Sequence, residues 1–329
     1  MKAERNKTID LSVEEGAGYL ARCVHLDRPA GLEEVRDRTI IGDSLEVLPL
    51  LPRGFADLLI ADPPYNLDKN FNGIHFSRMD DESYAAYTLH WLDAALPCLK
   101  PDASVYICCD WRTSMVIGPL LAERLRLLNR ITWQREKGRG AKSNWKNAME
   151  DIWFAALGDN YRFHPENVRL RRRVIAPYRE DGHEKDWEET GDGRFRNTAP
   201  SNFWDDISIP YWSMPENTAH PTQKPEKLIA KLILASTEPG SVVLDPFLGS
   251  GTTSVTAKKL GRHYVGIERE AQYAVWAEKR LELAETAPEI QGYTDGVFWE
   301  RNTFAQQKAA QAKQKQSERT TRKKREASV

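Results

Sequence analysis

Four cysteines in 329 residues, Cys23, Cys98, Cys108 and Cys109, form neither a Cys-x-x-Cys pair nor the spacing of a disulfide framework. Three of them sit in apolar stretches, where a thiol is a small core residue, so the expectation is a reducing cytoplasm and no metal site. No apolar run reaches the roughly 20 residues needed to cross a bilayer. The charged start, Met1 to Asn6, is not followed by the apolar core of a secretory signal, so no membrane partner is expected. Net charge is also nearly absent, with 47 Lys and Arg against 48 Asp and Glu. The sequence further lacks the third glycine of a dinucleotide fingerprint and the Gly-Lys-Thr of a phosphate loop, which turns attention away from phosphate ligands.

What is present is unevenly placed. The stretch from Lys308 to Arg325 carries eight basic residues against one acid and no large apolar side chain, the composition of a basic tail that cannot build a core. Two more basic patches are Arg169–Arg173, with Arg169, Arg171, Arg172 and Arg173, and the glycine-loosened run with Lys137, Arg139 and Lys142. With 40% apolar and 29% charged residues, the chain suits one main core with a smaller insertion.

Apolar strand runs alternate with helical patterns, as in an α/β fold on a mainly parallel sheet. Strands are expected at 38–41, 56–61, 104–109, 130–133, 152–156, 241–244 and 263–267, and helices at 82–96, 225–236, 252–260 and 269–283. Residues 161–219, rich in charge, Trp, Pro and Asn, break the alternation and read as an inserted, substrate-facing region, in which Trp204 and Trp212 are expected to pack. No internal repeat is visible.

Two motifs carry chemistry. Asp245-Pro-Phe-Leu-Gly-Ser-Gly-Thr-Thr253 follows the apolar run Val242–Leu244 and precedes an amphipathic helix. Such a turn lets backbone approach a small molecule at the carboxyl edge of a sheet. Further on, Glu268 ends the next strand, where a carboxylate can accept from two ribose hydroxyls. The second motif, Asp62-Pro63-Pro64-Tyr65, ends the run Leu58–Ala61. Two prolines hold the chain extended with carbonyls outward beside a carboxylate. A carboxylate and a carbonyl can bind both hydrogens of an exocyclic base amine, and an aromatic ring can stack on a base turned out of its duplex. Each motif taken singly also fits an ordinary strand-ending turn.

Together, and in this order, the motifs resemble the beta-class, permuted S-adenosylmethionine-dependent DNA amino-methyltransferases, over about residues 39–283. The resemblance implies a doubly wound, mainly parallel, Rossmann-like sheet with an inserted target-recognition region. It implies S-adenosylmethionine as cofactor, double-stranded DNA as substrate, and no metal. It makes Asp62, Pro63, Pro64 and Tyr65 catalytic. By the same comparison Thr39–Ser44 supplies Asp43 to the cofactor adenine, and His220-Pro-Thr-Gln-Lys-Pro225 supplies Thr222 and Lys224 to its carboxylate. Asp62, Asp245, Phe247, Gly249, Gly251 and Thr252 then belong to the cofactor cradle and Glu268 to its ribose. The implied boundaries are an extension at 1–38, a catalytic half at 39–160, target recognition at 161–219, a cofactor half at 220–285 and an extension with the tail at 286–329. The arginines and lysines named above become DNA contacts, or else a solvated basic face. By analogy to active-site lids, residues 66–82 read as a mobile loop that orders over the extracted base, with Phe71, His75 and Phe76 equally suited to packing against the domain surface.

Among amine acceptors, Asp at position 62 tilts the resemblance to the N6 amine of adenine, since family members acting on the N4 amine of cytosine more often carry Ser there. Carbon-5 methylation needs a presented thiolate, and Pro97-Cys98 lies at the end of a helical pattern, so Cys98 reads as structural. An RNA substrate and a catalytically silent, nucleic-acid-binding subunit are the remaining rivals. A homodimer and a cognate restriction endonuclease are the partners the resemblance suggests.

Overall fold

The computed structural model describes residues 5–71, 74–135, 144–175, 178–180, 183–190, 193–301 and 303. Lys137, Arg139, Lys142 and the basic tail lie outside the described residues, as do the side chains of Phe71 and His75. Along the chain run strands β1 (Arg38–Ile41), β2 (Ala56–Ala61), helix α1 (Asp81–Ala95), β3 (Leu99–Cys109), α2 (Thr113–Arg124), β4 (Arg126–Gln134) and β5 (Met149–Ala156). They are followed by β6 (Leu170–Arg173), β7 (Glu188–Thr190), β8 (Gly193–Thr198), β9 (Phe203–Trp204) and α3 (Glu226–Ser236). Last come β10 (Val242–Asp245), α4 (Thr252–Lys259), β11 (His263–Glu268), α5 (Ala271–Thr286), β12 (Tyr293–Thr294) and β13 (Val297–Trp299).

Eight strands form the central sheet in the order β1-β11-β10-β2-β3-β5-β4-β9. It is parallel from β1 to β3, and β5 runs antiparallel to both of its neighbours. Every residue of β2 and β10 is buried, the mark of parallel strands covered on both faces. Alternate side chains feed two cores. Leu59, Ala61, Val105, Ile107 and Leu244 pack with α1 and α2, while Leu58, Ile60, Tyr106 and Val243 pack with α3, α4 and α5. This is the doubly wound α/β fold expected from the alternating pattern.

A second sheet, in the order β7-β8-β6-β13-β12, brings the region after residue 161 together with the chain beyond α5, since Phe298 pairs with Leu170. It packs through Val168, Leu170 and Phe298 against Ala230, Leu234 and Ala235. Helix α3 is therefore covered on all sides, and the ammonium groups of its Lys227 and Lys231 each lie 2.7 Å from the carboxylate of Asp206. Trp204 packs as expected, 7% exposed, but Trp212 is half exposed and does not. Cys98 is buried at the amino-terminal end of β3 and donates weakly to the Leu48 carbonyl. Residues 9–20 pack Ile9, Leu11 and Leu20 on α5. No helix among the described residues is long and apolar enough to cross a membrane.

Candidate active site

The carboxyl ends of β2, β3, β10 and β11 open into one cavity of about 470 Å³. Because β2 pairs directly with β10, the chain leaving β2 at Asp62 meets the glycine-rich turn that follows Asp245. The two motifs, nearly two hundred residues apart, thus share a wall. Asp43, Asp62, Pro63, Pro64, Tyr65, Thr222, Lys224, Asp245, Phe247, Gly249, Thr252 and Glu268 all line the cavity.

Gly251 does not line it. It caps α4 in the left-handed region, at φ 84°, and a Cβ there would stand 2.6 Å from that of Ala277. Its glycine is needed for close packing of α4 on α5. Arg280 fixes the same turn from beneath, donating to the Ser250 carbonyl at 2.8 Å and to Thr252 Oγ1 at 3.0 Å while pairing with buried Glu226 at 3.0 Å.

On the cradle side, Glu268 accepts the Gly249 and Glu270 amides, each at 2.7 Å. Burial, opposed by those two amides, raises its carboxyl to about 8. Burial likewise raises Asp245 to about 7, although Thr253 and the Phe247 amide at 2.9 Å favour its ionised form. Asp43 caps the short helix Ser44–Val47 through the Leu45 amide and pairs with Arg269 at 3.1 Å. Phe247 meets Trp91 edge-on at 5.2 Å. Thr222 donates its amide to His220 Nδ1 at 3.3 Å.

On the motif side the carboxylate of Asp62 has a partner on each oxygen. Tyr65 donates its hydroxyl to Oδ1 at 2.9 Å, and Lys224 donates to Oδ2 at 2.6 Å. Lys224 also reaches the Tyr65 hydroxyl at 3.1 Å and lies 3.3 Å from Glu150 Oε2. Glu150, buried on β5, pairs with Arg135 through its other oxygen. Burial alone would discharge the Lys224 ammonium, but Asp62 and Glu150 hold it charged, well above the ordinary lysine range. Lys224, expected at the cofactor carboxylate, lines the cavity with its ammonium between Asp62 and Glu150. Among the described residues no hydrogen bond is made to the Pro63 carbonyl, whereas that of Pro64 accepts from Tyr84 at 2.9 Å.

The sequence reading passed over Glu150 and Arg135, together with Asp110 and Asn147 on the same wall. Of the expected DNA contacts, Arg169 and Arg173 are exposed. Arg171 pairs with Glu188 and lies over the rings of Phe195 and Trp299, and Arg172 pairs with Asp205 and Glu300. These two arginines are occupied within the second sheet. The loop after the motif is closed at its neck by Asn66, whose amide side chain bonds both the carbonyl and the amide of Met79.

The N6/N4 family described as DNA methylase matches residues 56–279. "DNA adenine methyltransferase YhdJ" of Escherichia coli K12 is 33% identical over 264 residues, covering 75% of this chain and 83% of that protein. "Type II methyltransferase M.HpaI" of Haemophilus parainfluenzae is 30% identical over 248 residues, covering 74% of each. Among solved structures, the PvuII DNA methyltransferase (cytosine-N4-specific) superposes with a TM-score of 0.54 at 18% identity, covering 76% of this chain and 92% of its own. At that identity the likeness is one of fold.

Proposed function

The chain belongs to the N6/N4 DNA methylase family, and from that premise we propose that it methylates the N6 amine of adenine in double-stranded DNA, on a base turned out of the helix. The observation that carries this reading is the meeting of Asp62 and Pro63 with the glycine-rich turn in one cavity. The choice of adenine is supported by the acid at position 62 and by the 33% identity to a protein named as an adenine methyltransferase. The N4 amine of cytosine needs the same two acceptors and is the alternative.

The methyl donor is S-adenosylmethionine. A volume of about 470 Å³ falls within the usual range for a small-molecule site. Glu268 would take the ribose hydroxyls, Asp43 the adenine amine, and Phe247 would flank the ring. When bound, the donor supplies an electrophilic sulfonium methyl. The protein's part lies in the acceptor. Asp62 and the Pro63 carbonyl would accept hydrogen bonds from the two amine hydrogens, so the nitrogen lone pair is directed out of the ring plane; the N–methyl bond forms as the sulfur–methyl bond breaks to leave a neutral thioether, and the surplus amine proton passes to the Asp62 carboxylate. Tyr65 offers its face to the ring, offsetting part of the few kcal/mol spent on unstacking the base. For the amine to reach Asp62, Lys224 yields Oδ2 and stays paired with Glu150.

Sequence recognition is assigned to the region at 161–219 with β12 and β13, where Arg169 and Arg173 are available to phosphate or guanine and Arg171 and Arg172 hold the sheet. Catalytic and cofactor halves at 39–160 and 220–285, a cytoplasmic location, a homodimer and a partner restriction endonuclease complete the proposal. Unmethylated genomic DNA incubated with the enzyme and donor, digested to nucleosides and analysed by mass spectrometry, tests it. N6-methyladenine is expected. N4-methylcytosine would change the base and keep the mechanism. A DNA without new methyl groups would overturn the reading in favour of RNA or a silent subunit.

A further inference from the structure

Two large indoles stand in water beside the cavity that is meant to receive a base. Trp145 is 93% exposed and Trp111 43% exposed, and neither lines the cavity itself. Exposure of this extent leaves an indole with little packing to contribute, and aromatic rings are enriched where proteins contact their partners. The sheet register brings both to one edge. Cys109, at the end of β3, pairs with Asp151 of β5, and Gln134, at the end of β4, pairs with Met149 of β5. Trp111 therefore leaves the sheet next to Asp110, and Trp145 enters it just before Asn147, with Asp110, Arg135, Asn147 and Glu150 all on the cavity wall.

Each indole has a cation beside it in sequence. The Arg112 guanidinium lies 5.1 Å from the Trp111 ring centroid, and exposed Lys146 follows Trp145. Among the described residues neither Arg112 nor Lys146 forms an ion pair, in contrast to Arg171 and Arg172. An aromatic face with an adjacent positive charge suits a polymer that alternates flat bases with phosphates. Turning one base out of a duplex leaves its partner and its neighbours unstacked. That is where exposed bases would be available at the mouth of this cavity.

We propose that Trp111 and Trp145, with Arg112 and Lys146, form a stacking rim that holds the unstacked bases of DNA beside the one drawn into the cavity. The proposal rests on the reading of the chain as a base-extracting DNA methyltransferase. It adds an interaction surface separate from the target-recognition sheet. Stacking is tolerant of base identity, so the rim contributes affinity for distorted DNA and not sequence choice.

The test measures binding, without turnover, by fluorescence anisotropy on two labelled duplexes that differ only in a single mismatched adenine. Trp145→Ala is expected to weaken binding to the mismatched duplex on the order of tenfold, with a much smaller loss on the fully paired one. Trp111→Ala should act in the same direction, and Trp145→Phe should keep most of the wild-type preference. The melting temperature and S-adenosylmethionine affinity of Trp145→Ala should match wild type, since so exposed a ring holds nothing together. An unchanged mismatch preference in both alanine variants overturns the rim, and so does an equal loss on the two duplexes, which would mean backbone contact without stacking. A wild-type enzyme that prefers the mismatched duplex yet transfers no methyl group would sink the functional reading while leaving the rim supported.

Discussion

Replacing Glu150 by Gln removes one negative charge from beneath the proposed catalytic carboxylate while keeping the shape of the side chain. In the wild type, the buried Lys224 ammonium is shared by Asp62 Oδ2 at 2.6 Å and Glu150 Oε2 at 3.3 Å. In the proposed mechanism the base amine needs Asp62, so the ammonium must give up one carboxylate in the productive complex, and Glu150 keeps it paired when it does. Without that charge, leaving Asp62 strands a buried cation, and Asp62 stays occupied. Coulomb attraction at this separation is about 5 kcal/mol at an effective dielectric of about 20, before any desolvation cost. Losing one close contact to a charged group, about 2 kcal/mol, is the more realistic scale. That corresponds to a roughly 30-fold fall in kcat. The Kd for S-adenosylmethionine should change little. Single-turnover transfer of a labelled methyl group, measured for Glu150→Gln, Lys224→Met and the double variant, reads this directly. The two losses should be strongly non-additive, because the side chains act as one pair. Turnover of Glu150→Gln within about twofold of wild type, or two losses that simply add, would refute the argument.

Asp62→Ala should abolish methyl transfer while isothermal titration still detects cofactor binding, because its carboxylate faces Tyr65 and Lys224 and the cradle turn is held separately by Arg280. Gly251→Ala should destabilise the protein by about 1–3 kcal/mol for the left-handed backbone and a similar amount for crowding Ala277, seen as a lower denaturation midpoint. A pH trend is also expected. Burial raises Glu268 to about 8, Asp245 to about 7 and Glu216 to about 7, in each case above the unfolded value. The folded chain then binds more protons than the unfolded chain between those values, so stability contributed by these groups is present at the acid end and is lost as pH rises through 7 to 8. Thermal midpoints of the ligand-free protein should fall from about pH 5.5 to about pH 7.5, and Glu268→Gln should flatten the trend. A midpoint that rises across that interval would contradict it.

Strands β2 and β10 could be read from the sequence because central parallel strands are covered on both faces, and continuous apolar runs such as Leu58–Ala61 and Val242–Leu244 have no other ready explanation. Each ends in a motif, so one wall of the cavity followed once a doubly wound sheet was assumed. Helix α2 escaped because Gly118-Pro119 stands in its middle and reads as a break. The space explains the glycine, since a Cβ at 118 would stand 2.6 Å from the Trp153 ring. The second sheet escaped for a different reason. Its strands are two to six residues long and rich in Arg and Glu, and β6 gains its second neighbour only when residues 297–299 return from beyond α5. No local period records a pairing made across that distance.

Glu150 marks the boundary between what local pattern reveals and what only packing reveals. The motif Asp62–Tyr65 announces itself because two prolines beside an acid are stiff, whereas an acid at the start of a strand is ordinary. Yet Glu150 and Asp151 are both buried at the head of an apolar strand, and two adjacent acids cannot both point to solvent from a strand covered on both faces. One side chain projects to each face, and each must meet a partner. Asp151 accepts from Thr132 at 2.9 Å, and Glu150 takes Arg135 and Lys224. The signal was therefore present as an unanswered electrostatic question, a pair of charges in a core position whose nearest cation in sequence, Lys146, is exposed. Its answer, Lys224, lies seventy-four positions away on the segment that returns to complete the cavity.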